Sequence, residues 1–483
     1  MRTPVIFGSV LYSATLDQPA ALPLLEKPLV EEAVHALWAS RRDLVERSLI
    51  PISVAWPASR GLTDALLAAT GKALAEGRDP HGFMRTYAAE MDGGITIKTS
   101  TPPEPVLVGT AFVFASCQYP AGVLDGQPAA RSIDRLNDRI GKATTFPPID
   151  ALLLLGDQIY ADASYGLLDP RHPQDRYAAA HQKWRAALEA RVYIKRLEQR
   201  NRVFAMPDDH EIADNWEPAP GPDHQRLKDV ALQAFAHERG NRKPVGTPLR
   251  GWWGTVNVGG GHEVFMLDTR TQRDPRPWGP LTSVQPAHLI DAAQRDALKA
   301  WLHAAHQRDQ ETGRCQPKLI SSAVWLLPRH VGREDPEGHA QEGPAALSDS
   351  WDGYPPSLHW LLTLIAQDGI GGVVVLCGDG HLAGHTVARL TCGGHTVELH
   401  VLQAPALYAP FPFANAQPHQ FATHDRFGWT WDERQVSCLS ESALWPMGDG
   451  FTLLEVLPDE RGWMVRATFD TGPSTRQVCW RVT

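Results

Sequence analysis

The sequence predicts a layered α/β core, and two observations carry that expectation. From Val106 onward, apolar runs of strand length alternate with segments of helical periodicity. Most of those runs end on a residue able to do chemistry, and in an open α/β sheet the loops at strand carboxyl ends converge on one edge. IDALLLLGDQIYAD, Ile149 to Asp162, is the clearest case: Ala151 to Leu155 are apolar and lead directly into Gly156-Asp157.

Residues 1 to 105 precede this alternation and read as an accessory region, mostly helical. Helical patterns run from Leu29 to Leu49, Thr63 to Glu76 and Pro80 to Glu90, followed by the turn signals Asp92-Gly93-Gly94 and Thr101-Pro102-Pro103. The core region, 106–405, then holds VGTAFVFASC, IDALLLLGD, NRVFAMPDDHE, HEVFMLDTR, KLISSAVWLLP and GVVVLCGDGH as strands. Helical spacing marks Asp175 to Gln199, His224 to Arg239, Gln285 to Arg308 and Ser357 to Gln367 between them. Gly259-Gly260-Gly261 is a hairpin turn between VNV and HEVFML. After Leu402 the alternation stops, and FTLLEVLP, WMVRATFD and RQVCWRV make 406–483 a β-rich segment expected to pack on the core.

Composition narrows the function. The chain has 483 residues, 43% hydrophobic and 21% charged, which is ordinary for a globular protein with a large core. A net charge of −9 without a Lys/Arg run disfavours stable nucleic-acid binding, while a small phosphorylated substrate remains open. Cys117, Cys315, Cys377, Cys392, Cys438 and Cys479 are scattered without a CxxC pair, which fits a reducing, cytoplasmic setting. No apolar stretch reaches the roughly 18 residues that span a bilayer, so no membrane partner is expected. Val5 to Leu11, broken by Gly8 and Ser9, is a poor export signal.

Asp157, Asp209, Asp379 and His381 stand just past the ends of three separate apolar runs. A single Gly-Asp after a strand reads as a turn or a cap. Several such ends gathered on one edge would repel one another unless a cation joined them, and carboxylate plus imidazole is a set that hydrolytic metal sites use. Cys117 and Tyr160 favour ferric iron over magnesium if they are ligands; otherwise they are a small buried thiol and a core ring. His210 is either structural or the general acid that protonates a leaving oxygen. Asp268 and Arg270 form a supporting pair, a buried salt bridge, or, for the arginine, a fork for a phosphate oxygen. The sequence has no GxSxG elbow, no Walker A loop and no GxGxxG after a strand.

The ordered set ASCQ (115–118), GDQIYAD (156–162), DDHEIADNW (208–216), LDTR (267–270) and GDGH (378–381) resembles the PhoD-like alkaline phosphatase and phosphodiesterase family, a branch of the metallophosphoesterases. The resemblance implies a sandwich of two mixed β-sheets flanked by helices, with metals at the strand ends. It implies Asp157 as the bridging carboxylate, Asp209 and Asp379 as ligands, His210 as the catalytic histidine and His381 as a further ligand. Asp208 and Asn215 are additional candidates in the same motif. It further implies iron held by Cys117 and Tyr160, calcium at neighbouring positions, and room for another divalent metal. The sequence departs from the general pattern in two places: Ser116-Cys117 replaces DxH, and Leu319 to Leu327 lacks a histidine.

The expected activity is hydrolysis of phosphomonoesters or phosphodiesters by a hydroxide held between metals, with His210 as acid and Arg270 on the phosphate. The alternatives are a nuclease or nucleotide pyrophosphatase on the same centre, with Trp351 to Tyr354 stacking a base or forming a structural loop, and a non-catalytic metal-bound module.

Overall fold

The computed structural model describes 109–483, apart from 120–125, 142–146, 162–172, 220, 240–251, 277–286, 332–347, 410–415 and the single residues 447, 461 and 473. The helical patterns expected before residue 106, and Asp162, lie outside the described residues.

Two mixed sheets form the core, as expected. In the first, β1 (Thr110–Gln118), β2 (Ile149–Leu155) and β3 (Val203–Met206) run parallel. On the other side of β1, β13 (Phe451–Asp459), β14 (Gly462–Asp470) and β15 (Thr475–Arg481) follow antiparallel, giving the order β15-β14-β13-β1-β2-β3. A short strand, β10 (Ala406–Tyr408), pairs parallel with the far end of β1. β1 is buried from Thr110 to Cys117, which is why its sequence is an unbroken apolar run and not an alternating one.

In the second sheet β5 (His262–Leu267), β6 (Lys318–Ser322), β7 (Val373–Cys377) and β9 (His395–Gln403) are parallel. β4 (Gly254–Gly259), β8 (Ala383–Cys392), β12 (Arg434–Trp445) and β11 (His424–Trp431) add antiparallel neighbours, for an order of β11-β12-β8-β9-β7-β6-β5-β4. Side chains alternate across this sheet with the two-residue period of the pleat. Val264, Met266, Val374 and Leu376 enter the core shared with the first sheet. Phe265, Leu267, Val373 and Val375 pack on the opposite side against Leu298, Leu302, Leu358 and Leu361 of α5 (Ala292–Thr312) and α6 (Pro355–Gln367).

The remaining α-helices among the described residues are α1 (Gly126–Gly141), α2 (Pro173–Glu189), α3 (Val192–Gln199) and α4 (Pro222–Arg239), and they cover the first sheet with Ile133, Leu136, Tyr177, Leu188, Ile194 and Phe235. The helical pattern from Asp175 to Gln199 resolves into α2 and α3 because Arg191 is extended, with φ −101° and ψ 107°. α5 starts later than its periodicity suggested: Asp291 caps it, accepting from the Gln294 N–H at 2.8 Å. α1 and the β8–β9 hairpin had no counterpart in the sequence reading, while β11–β12 falls in the segment expected to be β-rich. The strands after residue 406 are members of both sheets, with β13 paired directly to β1 from Thr110↔Val456 to Phe114↔Thr452.

Candidate metal centre

The carboxyl ends of β1, β2, β3 and β7 meet at one place. There the backbone is bent into an uncommon region: of eight described non-glycine residues with positive φ, four are Cys117 (54°), Asp157 (55°), Asp379 (71°) and His381 (52°). Side chains rarely adopt that conformation, and such positions concentrate at functional sites. Close approach makes it fit. Gly156 follows β2, and a Cβ there would sit 2.4 Å from Asp208 Cβ. Gly378 follows β7, and a Cβ there would lie 2.7 Å from Ser116 Cβ. The glycine in each Gly-Asp pair therefore lets neighbouring strand-end loops touch.

Three overlapping groups of ligand-type atoms result, each with all atoms within 4.8 Å of one another: Cys117, Asp157 and His381; Asp157, Asp209 and His210; and Asp157, Asp208, Asp209 and Asp379. Asp157 belongs to all three. Cys117 Sγ lies 3.3 Å from Asp157 Oδ2. The Tyr160 hydroxyl is 3.3 Å from His381 Nε2, and its ring packs on His210 with centroids 4.0 Å apart. His210 keeps 20% of its side chain exposed, with Nε2 at 3.8 Å from Asp214 Oδ1. Asn215 contributes its backbone N–H, which donates to Asp209 Oδ2 at 2.6 Å, while its side-chain position is exposed.

The electrostatics of this cluster call for a cation. Burial, then the charges of Asp209, Asp208, Glu211 and Asp379, push the Asp157 carboxyl well above its usual range. Burial and the neighbouring carboxylates do the same to Asp379 and to the Cys117 thiol, and burial with Cys117 and Asp157 raises the Tyr160 phenol. Asp208 is raised to about 7, chiefly by burial and against the pull of Arg270. Asp209 goes the other way: burial would raise it, but Arg270, His210 and the Asn215 N–H outweigh that and hold it at about 2. Asp157 Oδ1, Asp208 Oδ2 and Asp209 Oδ1 are buried and accept no hydrogen bond. Three orphaned carboxylate oxygens beside a thiol, a phenol and imidazoles fit a hard cation, because one ion would satisfy the oxygens and hold the soft donors deprotonated.

Two residues organise the cluster from behind. Glu211, fully buried, accepts backbone N–H groups from Asp157 (2.9 Å), Gln158 (2.8 Å), Ile159 (3.2 Å) and Asp208 (2.7 Å). It thereby ties the loop after β2 to the loop after β3. The arginine fork expected at Arg270 is turned inward instead: the side chain is 0% exposed, and Nε donates to Asp208 Oδ1 at 2.7 Å. Nη1 donates to the Trp216 carbonyl at 3.3 Å, and Nη2 lies 2.8 Å from Asp349 Oδ2 and 3.8 Å from Asp209 Oδ1. Arg270 therefore balances charge inside the protein and offers no face to a substrate. Asp268 does not pair with the Arg270 side chain; its carboxylate accepts the backbone N–H groups of Trp252, Arg270 and Thr271.

The base-stacking reading of Trp351 to Tyr354 is corrected by burial. Trp351 and Tyr354 are both 0% exposed. Trp351 Nε1 donates to Ser322 Oγ at 3.0 Å, and the guanidinium carbons of Arg273 and Arg276 sit 5.1 and 4.7 Å from the centre of the Tyr354 ring. Both rings hold the wall together. Glu211 and Asp349 were missed as functional positions by sequence reasoning; the DDHE run was the only signal available for Glu211.

Two mixed sheets thus carry at their strand ends a buried cluster of carboxylates, thiol and imidazoles that could hold a cation. The chain belongs to the PhoD-like phosphatase family, whose model matches residues 112–394, well over half of its length. It is thus an enzyme, a phosphoesterase of a metal-dependent family. A solved structure described as "Structure of PhoD" is similar at 16% identity and a TM-score of 0.47, over 77% of this chain and 68% of that one. No curated protein matches the sequence.

Proposed function

We propose that this enzyme hydrolyses phosphomonoesters or phosphodiesters of small molecules at the cluster centred on Asp157, with His210 as general acid. The observation that supports this most is the set of orphaned buried oxygens on Asp157, Asp208 and Asp209, which leaves a cation-shaped demand at the mouth of the strand ends. Asp157, Asp209, Asp379, His381, Cys117 and Tyr160 would hold the metal. The thiol and phenol favour ferric iron on their side, with calcium or another divalent ion on the all-oxygen side. When bound, such ions supply Lewis acidity, neutralising charge on the phosphoryl oxygens and easing deprotonation of water.

The chain's own residues do the rest. Asp209, held at about 2, keeps its charge across the working range. Glu211 fixes the β2 and β3 loops so that Asp157 and Asp208 cannot separate, which is preorganisation of the site before substrate arrives. Tyr160 buttresses one face of the His210 ring, leaving its partly exposed edge to deliver a proton to the departing oxygen.

The test is Asp157→Ala, assayed for bound metal and for turnover of bis(4-nitrophenyl) phosphate and 4-nitrophenyl phosphate. Loss of both metal and turnover is expected; retention of both sinks the assignment. We further place the enzyme in the cytoplasm, a reading supported by six free cysteines. No helix among the described residues is long and apolar enough to cross a membrane.

A further inference from the structure

His330 is a histidine that neither the sequence reading nor the cluster accounts for. It follows β6 by eight residues, and the backbone there pairs with the segment around Phe421. Its ring is fixed by one carboxylate: Asp352 Oδ2 accepts the His330 backbone N–H at 2.8 Å and lies 2.9 Å from Nδ1. Asp352 is 5% exposed while the His330 side chain is 32% exposed, so a buried acid holds an imidazole at the surface. Phe421 packs on the ring with centroids 4.6 Å apart, leaving little freedom to swing.

Two separate chains of contact join this imidazole to the metal centre. Asp352 lies in the short turn Trp351–Gly353, and Asp349, two residues before that turn, ion-pairs with Arg270 at 2.8 Å. On the other route, Phe421 stacks on Trp325 at 4.3 Å, and Trp325 lies against Gly380, where a Cβ would meet its Nε1 at 2.0 Å. Gly380 sits between Asp379 and His381. Both routes start at the partly exposed imidazole and end on residues beside the cluster, Arg270 and Gly380. The Asp352 bond also keeps the ring basic: burial alone would lower it, and Asp352 with Asp349 raises it above 6.5.

We propose that His330, held by Asp352, is a substrate-binding residue that takes an anionic group on the arm of the phosphoester beyond the reacting phosphorus. With Nδ1 committed to Asp352, Nε2 is the edge left to donate to such a group. The enzyme then favours substrates with a second phosphate over those with a neutral arm. This rests on the proposed phosphoester site, and the experiment separates the two.

Binding of adenosine 3′,5′-bisphosphate and of adenosine 5′-monophosphate to the metal-loaded protein would be measured by calorimetry, beside turnover of bis(4-nitrophenyl) phosphate. His330→Gln should weaken the bisphosphate by about tenfold, the value of one charge-assisted hydrogen bond. The affinity for the monophosphate should stay within about twofold. Asp352→Asn, which leaves the ring in place without the charge behind it, should weaken the bisphosphate in the same direction. Equal affinities of wild type and His330→Gln for the bisphosphate, or equal weakening of both nucleotides, overturns the proposal. A wild-type protein that binds the bisphosphate more tightly than the monophosphate in a His330-dependent way yet turns over no phosphoester keeps this inference and removes the catalytic one.

Discussion

The carboxylate of Glu211 accepts the backbone N–H of Asp157 at 2.9 Å, so the residue at the centre of the cluster is positioned through its main chain, fifty-four residues away in sequence. Each Glu211 oxygen serves two amides, Oε1 those of Gln158 and Ile159, Oε2 those of Asp157 and Asp208. Glu211→Gln keeps the volume but turns an NH₂ toward two donors. Expected is weaker metal retention and a kcat drop of about tenfold to a hundredfold at saturating metal, comparable to loss of an orienting partner elsewhere. Metal titration followed by activity measures it; unchanged metal affinity contradicts the positioning role.

Arg270→Met should cost about 3–5 kcal/mol of stability, because it strands Asp208 and Asp349 in the interior. Denaturant melts would read it. The loss should shrink in the double variant Arg270→Met, Asp208→Asn, where one stranded charge is gone.

Stripped of metal, the protein should lose stability as pH rises. The folded-state values of Asp157, Asp379 and Asp208 lie above the ordinary 3.8, Asp208 at about 7. A raised carboxyl binds its proton more tightly in the folded state, so its contribution is full below 3.8 and fades as pH climbs through the raised value. Melting temperature against pH, with and without chelator, should therefore diverge from about pH 4 to 7, and metal should restore the chelated curve. Asp209, depressed to about 2, contributes oppositely and is lost only toward that pH.

A second pH effect lies where β8, β9 and β15 meet. His385 and His400 stack on Trp480 of β15, with centroids 5.2 and 4.1 Å away, and their nitrogens approach to 3.0 Å. Burial lowers His385 to about 4, and burial with His385 lowers His400 to about 3. Both are neutral when folded yet protonate near 6.5 when unfolded, so stability should fall as pH drops from 6.5 toward 4. His400→Gln should flatten that limb by about one proton.

Gly156→Ala should destabilise by at least about 2 kcal/mol, since its φ of 93° disfavours a side chain and the added Cβ meets Asp208 at 2.4 Å. Metal binding should weaken with it, read in the same melts with and without metal.

Much of this was legible in the sequence because strand ends announce themselves. IDALLLLGD and GVVVLCGDGH are apolar runs that stop on a glycine and a carboxylate, and Asp157 and Asp379 stand where such runs place them. What was hidden depends on contacts without local sign. Nothing near Arg270 indicates that Asp349 waits for it, so a buried counter-ion and a substrate fork look alike from sequence. Trp351 and Tyr354 left a base-stacking and a structural-loop reading equally open because burial is a property of what surrounds them. The β8–β9 hairpin was lost for a similar reason: His385, Arg389, His395 and His400 interrupt its apolar pattern.

The pairing of β1 with β13 bears on how the protein is made. Cys117 sits at the end of β1, and β1 acquires its antiparallel neighbour only when Phe451–Asp459 exists. A nascent chain on the ribosome can present every candidate ligand, the last being His381, and still lack the strand that braces the first of them. The brace of the first candidate ligand thus comes from Phe451–Asp459, later in the chain than every ligand, and a chain cut before that strand should carry the whole cage in its sequence without being able to close it.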